Sequence, residues 1–190
     1  MEQRFGINSI DLQQLRDFCK QKGEVVNYMK GEQLERENET SRWFGYVESG
    51  CFKYTKHGIS DDKEHITWFS FEGEFVGDYP SCINSGISLT TIEAMLPSKI
   101  FRVSGEQLVR LFSQNMEAME LRSLIAEHLL NQARARYLDF YRATSRERYE
   151  LLLHRCPGIV EHLPLVAIAS FLHVTPVYLS KIRKEVSYGR

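Results

Sequence analysis

What this chain lacks narrows it first. No run of eighteen apolar residues occurs, so no segment reads as a membrane-spanning helix and no membrane partner is expected. Met1 to Lys20 shows no charged-then-apolar leader, and a cytoplasmic location is the expectation. The four cysteines, Cys19, Cys51, Cys82 and Cys156, stand far apart with no C-x-x-C pair. That spacing argues against a zinc site or a dithiol motif and suits small buried hydrophobes. The six histidines include no H-x-H pair, and His57 and His65 are eight apart. A metal-dependent barrel enzyme of the cupin type needs closely spaced histidines converging with a carboxylate on one ion. No catalytic residue, metal or cofactor is therefore expected, and the chain reads as a non-enzyme.

Charge of one sign is also scarce overall, at a net −1, but it is unevenly spread. Residues 1–112 carry 13 Lys+Arg and 17 Asp+Glu, whereas residues 113–190 carry 11 and 8. The first part would repel nucleic acid and the second could sit on phosphates. Proline is absent from Gly105 to Tyr141.

Between these absences lies a clear order of elements. Ile10 to Lys20 has Leu12, Leu15, Phe18 and Cys19 at helical spacing. From Glu24 to Val103 short strands alternate with turns. Phe44–Val47, Cys51–Tyr54, His65–Phe69 and Thr91–Ala94 read as strands. Lys30-Gly31, Ser49-Gly50, His57-Gly58, Asp61-Asp62, Glu72-Gly73 and Ser85-Gly86 read as turns. This density of turns predicts an antiparallel sandwich or barrel.

Gly105 to Tyr141 is expected to be helical. It carries two apolar stripes, one through Met119, Ala126, Leu130, Ala133, Tyr137 and Phe140, the other near Leu121, Ile125 and His128. One stripe serves a helix packed on its own domain, and a second suggests contact with another copy. Leu121, Leu124, Ile125 and His128 are the expected dimer seam. Thr144-Ser145-Arg146-Glu147 matches a capping box, and Cys156-Pro157-Gly158 ends the helix it starts.

The last stretch, Leu163 to Arg190, has the spacing of a helix-turn-helix. Ile168 and Leu172 share one helix face, Leu179 and Ile182 share a second, and Ala169 is small where the helices would cross. Thr175 and Pro176 supply an N-cap and a first-turn proline. His173 occupies the tight turn, where a left-handed backbone costs a non-glycine residue some energy. The candidate DNA-binding residues are Thr175, Pro176, Val177, Tyr178, Ser180, Lys181, Arg183 and Lys184.

Strands, long helix, capped helix and helix-turn-helix, in that order, resemble the CRP/FNR family of bacterial transcription regulators. The likeness is carried by Gly45-Tyr46-Val47-Glu48-Ser49-Gly50, by Phe71-Glu72-Gly73-Glu74-Phe75-Val76-Gly77-Asp78, and by Thr175 to Lys184. It implies an α+β fold: an antiparallel, jelly-roll-like β-roll sensor over residues 1–112, a dimerisation helix over 113–143, and a DNA-binding helix-turn-helix over 144–190. It further implies a homodimer on an inverted-repeat DNA duplex, with RNA polymerase as a further partner. After the recognition helix only Ser187-Tyr188-Gly189-Arg190 remain, too few for the family's full wing, which leaves more to Lys181, Arg183 and Lys184.

The effector pocket departs from the family. Where cyclic-nucleotide binders carry a glutamate for the ribose and, ten residues on, an arginine for the phosphate, this chain carries Asp78 and Ser88. The pocket candidates are Gly77, Asp78, Ser88 and Leu89, and no Lys or Arg lies from Glu64 to Ser98. A serine cannot replace the charged two-pronged guanidinium, and its loss removes ~1.5–3 kcal/mol. The expectation is a DNA-binding regulator with a degenerate pocket whose effector is unknown or absent. Iron–sulfur sensing would need clustered N-terminal cysteines, and only Cys19 precedes Cys51. Haem would need an axial ligand such as His57, His65 or His128, a role that a lone histidine seldom has. The competing reading is a β-roll module whose terminal helices dock a protein instead of DNA.

Overall fold

Residues 24–104 form eight short strands in the computed structural model, which describes residues 12–59 and 63–188. They are β1 (Glu24–Tyr28), β2 (Gln33–Glu35), β3 (Trp43–Ser49), β4 (Cys51–His57), β5 (Glu64–Phe71), β6 (Phe75–Val76), β7 (Thr91–Ala94) and β8 (Ser98–Ser104). The four sequence-read strands fall within β3, β4, β5 and β7. Every pairing is antiparallel, in two four-stranded sheets ordered β1-β8-β3-β6 and β2-β7-β4-β5. Tyr28, Leu34, Val47, Phe52, Val76, Ile92, Ala94 and Ile100 form a buried cluster drawn from both sheets. The expected α+β fold with an N-terminal β-roll is what the chain adopts.

Gly50 shows how the turns are specified. Its φ is +97°, and a Cβ there would sit 2.7 Å from the backbone of Ser98. Only glycine fits, so the chain passes from β3 to β4, and from one sheet to the other, at Ser49-Gly50. The Asp61-Asp62 turn lies outside the described residues.

Eight helices complete the described chain: α1 (Gln13–Lys22), α2 (Tyr79–Ile83), α3 (Gly105–Phe112), α4 (Met116–Arg142), α5 (Ser145–Arg155), α6 (Ile159–His162), α7 (Leu165–Leu172) and α8 (Pro176–Tyr188). The expected start of the first helix at Ile10 lies outside the described residues. The proline-free stretch from Gly105 is two helices and not one. Ser104 and Gln107 form a capping box for α3, and the Asn115 side chain accepts from the Ala118 N–H at 2.8 Å to start α4. Two caps eleven residues apart divide the run, because each satisfies amides that a continuous helix would bond internally.

The faces of α4 correct the expected dimer seam. Leu121 and Ile125 are buried within the single chain, packed with Leu15, Cys19, Phe44, Leu108 and Phe112. His128 is half-buried, its Nε2 2.9 Å from Gln132 Nε2, and Leu124 is exposed at the margin. The other stripe is open except at its end, where Phe140 is half-buried: Met116, Met119, Ser123, Ala126, Leu130, Ala133, Tyr137 and the adjoining Tyr141 are all exposed. They recur at alternating three- and four-residue steps until the last, the spacing of a coiled-coil seam. Periodicity reveals that two stripes exist, but not which meets the β-roll. Leu121 and Ile125 went inward, where burial of each side chain stabilises by about 1.5–3 kcal/mol.

The segment after α4 does not stand apart from the β-roll. Tyr149, Leu152, Ile159, Ala167, Ile168, Phe171, Leu172, Leu179 and Ile182 share one core with Cys51, Ile66, Phe69, Phe71 and Met95. Ser170 Oγ accepts from the Ile66 N–H at 3.1 Å. Arg155 binds both carboxylate oxygens of Glu74, at 3.0 and 2.7 Å, and donates to the Phe69 carbonyl at 2.8 Å.

Candidate functional site

The segment from β6 to β7 holds the four pocket candidates. Gly77 has φ +140°, and a Cβ there would lie 2.7 Å from the Trp43 carbonyl oxygen. Its N–H donates to Tyr54 Oη at 3.0 Å, and that hydroxyl lies 3.0 Å from Ser70 Oγ. Burial pushes the Tyr54 phenol up to about 12. Asp78 opens α2 without capping it through its side chain. Its Oδ2 instead accepts from the Leu89 N–H at 2.9 Å, so the fold does bring Asp78 to the Ser88–Leu89 turn. Ser88 is fully buried, and its hydroxyl donates to the Thr90 carbonyl at 2.8 Å. Leu89 is exposed.

This arrangement already uses the groups that an anion would need. An aspartate takes the Leu89 amide, and a backbone carbonyl takes the Ser88 hydroxyl. A second carboxylate stands close: Glu35 is buried, and its Oε1 accepts from the Arg42 and Trp43 N–H groups at 2.9 and 2.8 Å. Burial raises the Glu35 pKa despite those bonds, and Asp78 raises it further.

One basic residue reaches the turn from elsewhere. Lys56 on β4 donates to the Leu89 carbonyl at 2.8 Å and pairs with Glu37 at 2.8 Å. Lys56 and His57 together hold Glu37 down to about 2. Thirty-three residues separate Lys56 from Leu89, so no local motif could have announced the contact; the only sequence signal was a lysine on a strand.

The terminal helices form a second candidate site. α7 and α8 meet at an angle of 96° across a three-residue break, within the range of helix-turn-helix pairs. His173 has φ 54° and ψ 47°, the left-handed conformation expected of the turn. Val174 N–H bonds back to the Ala169 carbonyl at 3.0 Å and His173 N–H to that of Ser170 at 3.1 Å, closing α7. The edge of the His173 ring meets Phe140, with centroids 5.1 Å apart. Thr175 Oγ1 accepts from the Tyr178 N–H at 3.2 Å, the predicted N-cap. Leu179 and Ile182 are buried, as their spacing predicts.

Thr175, Pro176, Val177, Tyr178, Lys181 and Lys184 are exposed on this pair. Two candidates are less free. Ser180 is half-buried and its hydroxyl donates to the Pro176 carbonyl at 3.0 Å. Arg183 is half-buried and lies beside the Tyr149 side chain of α5, whose pKa burial raises and the Arg183 charge lowers.

The cysteines behave as buried apolar groups: Cys19, Cys51 and Cys82 are buried, and burial pushes each thiol up to about 12. Among the described residues, no three His, Cys, Asp or Glu side chains gather to hold a metal ion, and no single helix is long and apolar enough to cross a membrane.

Comparison with known proteins agrees with this layout. Residues 25–115 match the cyclic nucleotide-binding domain family. No curated protein matches the chain. FixK2 from Bradyrhizobium japonicum is similar over 88% of this chain and 85% of its own, at 20% identity and a TM-score of 0.73. CLP from Xanthomonas campestris, described as a c-di-GMP responsive global regulator, is similar over 94% of this chain and 93% of its own, at 17% identity and a TM-score of 0.62. The catabolite activator protein of Thermus thermophilus is similar over 96% of this chain and 86% of its own, at 16% identity and a TM-score of 0.55. With a β-roll, a long helix and a bent terminal helix pair in this order, the chain has the fold of the CRP/FNR-type regulators.

Proposed function

We propose that the protein is a dimeric, sequence-specific DNA-binding transcription regulator whose β-roll does not take up a cyclic nucleotide. The observation that carries this reading is the exposed start of α8. After a capped, sharply bent turn it presents Thr175, Pro176, Val177, Tyr178, Lys181 and Lys184 on one open surface. Such a helix fits the major groove, with Lys184 near phosphates and its first turns, through Lys181, near base edges.

Dimerisation uses the open stripe of α4, from Met116 through Met119, Ala126, Leu130, Ala133 and Tyr137, and not the buried Leu121 and Ile125. Two such helices side by side would hide side chains that a lone chain leaves in water. The two reading heads would then meet half-sites ~34 Å apart on an inverted repeat. The absence of a cyclic nucleotide follows from the Asp78–Leu89 bond, the missing arginine at Ser88 and the nearby Glu35 carboxylate. A phosphate would have to displace one carboxylate and approach another.

Selection of binding sites from a random duplex pool, followed by mobility shift, tests the reading. An inverted repeat should emerge. Lys184→Ala should weaken binding to every sequence and flatten its salt dependence by about one counterion, while Lys181→Ala changes the ratio of specific to non-specific binding. If no site emerges and both variants bind like the parent, the helices dock a protein instead.

A further inference from the structure

At the meeting point of α4, α5, β5 and the α7–α8 turn, cations gather without matching carboxylates. Arg136 of α4 lies with its guanidinium carbon 4.2 Å from the Phe171 ring, 5.2 Å from Trp68 and 6.0 Å from Phe140. No carboxylate stands within ion-pair distance of it among the described residues. Burial and the neighbouring Arg155 lower its pKa to about 10.

Arg148 also lies against Phe140, its guanidinium carbon 5.2 Å from the ring. It donates to the Ala143 and Leu172 carbonyls and to Ser145 Oγ, while its Nε is buried with no partner. The His173 ring completes the circle at 5.1 Å from Phe140. The nearby acids are engaged elsewhere: Glu74 is held by Arg155, and Asp139 pairs with Arg142 at 2.8 Å.

We propose that the two guanidiniums and the imidazole around Phe140 form a binding site for a small phosphate-bearing anion, with Arg136 as its principal ligand. Two guanidiniums and an imidazole gathered around one ring suit a group with several acceptor oxygens and more than one negative charge. Partly buried cations are unfavourable unless matched, and the aromatic faces offset only part of that cost. The site touches the long helix, the β-roll and the turn that aims α8, so an occupant would bias how the reading head is held. That regulatory consequence rests on the DNA-binding reading; the binding itself does not.

The test uses the full chain and inorganic pyrophosphate. Trp68 lies in the site, and Trp43→Phe leaves it the sole reporter of the two tryptophans. At constant ionic strength, pyrophosphate should change Trp68 emission saturably and raise the thermal midpoint, as a ligand of the native state must. Arg136→Gln should weaken the response about tenfold or more, consistent with loss of a charge-assisted bond, and abolish the rise in midpoint. Arg136→Lys keeps the charge and loses the fork, so it should retain a weaker response even if the glutamine variant folds poorly. The proposal falls if pyrophosphate gives no saturable change, or if both variants respond like the parent. Duplex DNA in place of pyrophosphate separates the two sources of phosphate. A Trp68 response to DNA alone would make Arg136 a backbone contact and overturn the small-anion site, whereas no response to DNA alone supports it. Mobility shift is read independently, so failure of the regulator reading and failure of this site are distinguishable.

Discussion

The β6–β7 segment and the junction around Phe140 treat charge in opposite ways. In the first, Asp78 takes the Leu89 amide, Ser88 takes a carbonyl, and Lys56 is shared between Glu37 and the Leu89 carbonyl. In the second, Arg136 has aromatic faces and no acid, and Arg148 keeps a buried N–H without a partner. A site that closes its own hydrogen bonds gains little from a ligand. A site that leaves cations unmatched is incomplete without one. The inherited shape of a pocket therefore says less about binding than the account of its polar groups.

The largest test lies on α4, the helix whose first half backs α3 and whose last half lines the junction. Ile125→Asp should place a charge in the core shared with Leu15, Phe44 and Leu108, costing several kcal/mol, on the order of 3–5, and unfolding the chain. Leu130→Asp, on the open stripe, should leave the fold intact by circular dichroism and split the dimer in light scattering. If Ile125→Asp yields a folded monomer, the assignment of the two faces is wrong.

At the junction, Glu74→Gln removes the acid that pairs with Arg155 among the described residues. Both side chains are about a third exposed, at 34% and 27%, so screening limits the loss to about 1–2 kcal/mol. Urea midpoints measure it, and an unchanged midpoint would mean that the cation surplus is not felt. At the β6–β7 segment, Asp78→Ala frees an exposed amide and should cost about 1 kcal/mol or less. Calorimetry should still show no cyclic AMP uptake, since Ser88 supplies no cation. Recovery of binding in that variant would break the comparison.

The smallest effect concerns pH. Burial lowers the His173 pKa, and Arg136, His65 and Arg148 lower it further. The folded value therefore lies below the unfolded one of about 6.5, so the unfolded chain binds more protons between them. Stability is fullest above the unfolded pKa and falls as pH drops through it toward the folded value. His173→Gln should make the urea midpoint less dependent on pH in that window; an unchanged dependence would show that His173 does not sense the neighbouring cations.

Much of this fold was legible residue by residue. Thr175 and Pro176 start α8, Thr144 and Glu147 start α5, and the turn glycines divide the strands, each by rules that act over a few residues. The break before α4 was missed because Asn115 is a weaker signal than proline. The half-burial of Arg183 was not legible, because helical periodicity does not state what another helix places beside a position.

By itself the sequence determined the order of β-roll, long helix, capped helix and terminal helix pair, the apolar stripes of α4 and the lack of an arginine at position 88. These depend on backbone preferences, capping and side-chain chemistry that each residue carries with it. Only the tertiary structure decided which stripe of α4 is buried, that Asp78 closes on Leu89, that Lys56 arrives from another strand, and that Arg136 meets rings instead of an acid. Those outcomes depend on which surfaces dock across tens of residues, where the packing of whole elements outweighs any local preference.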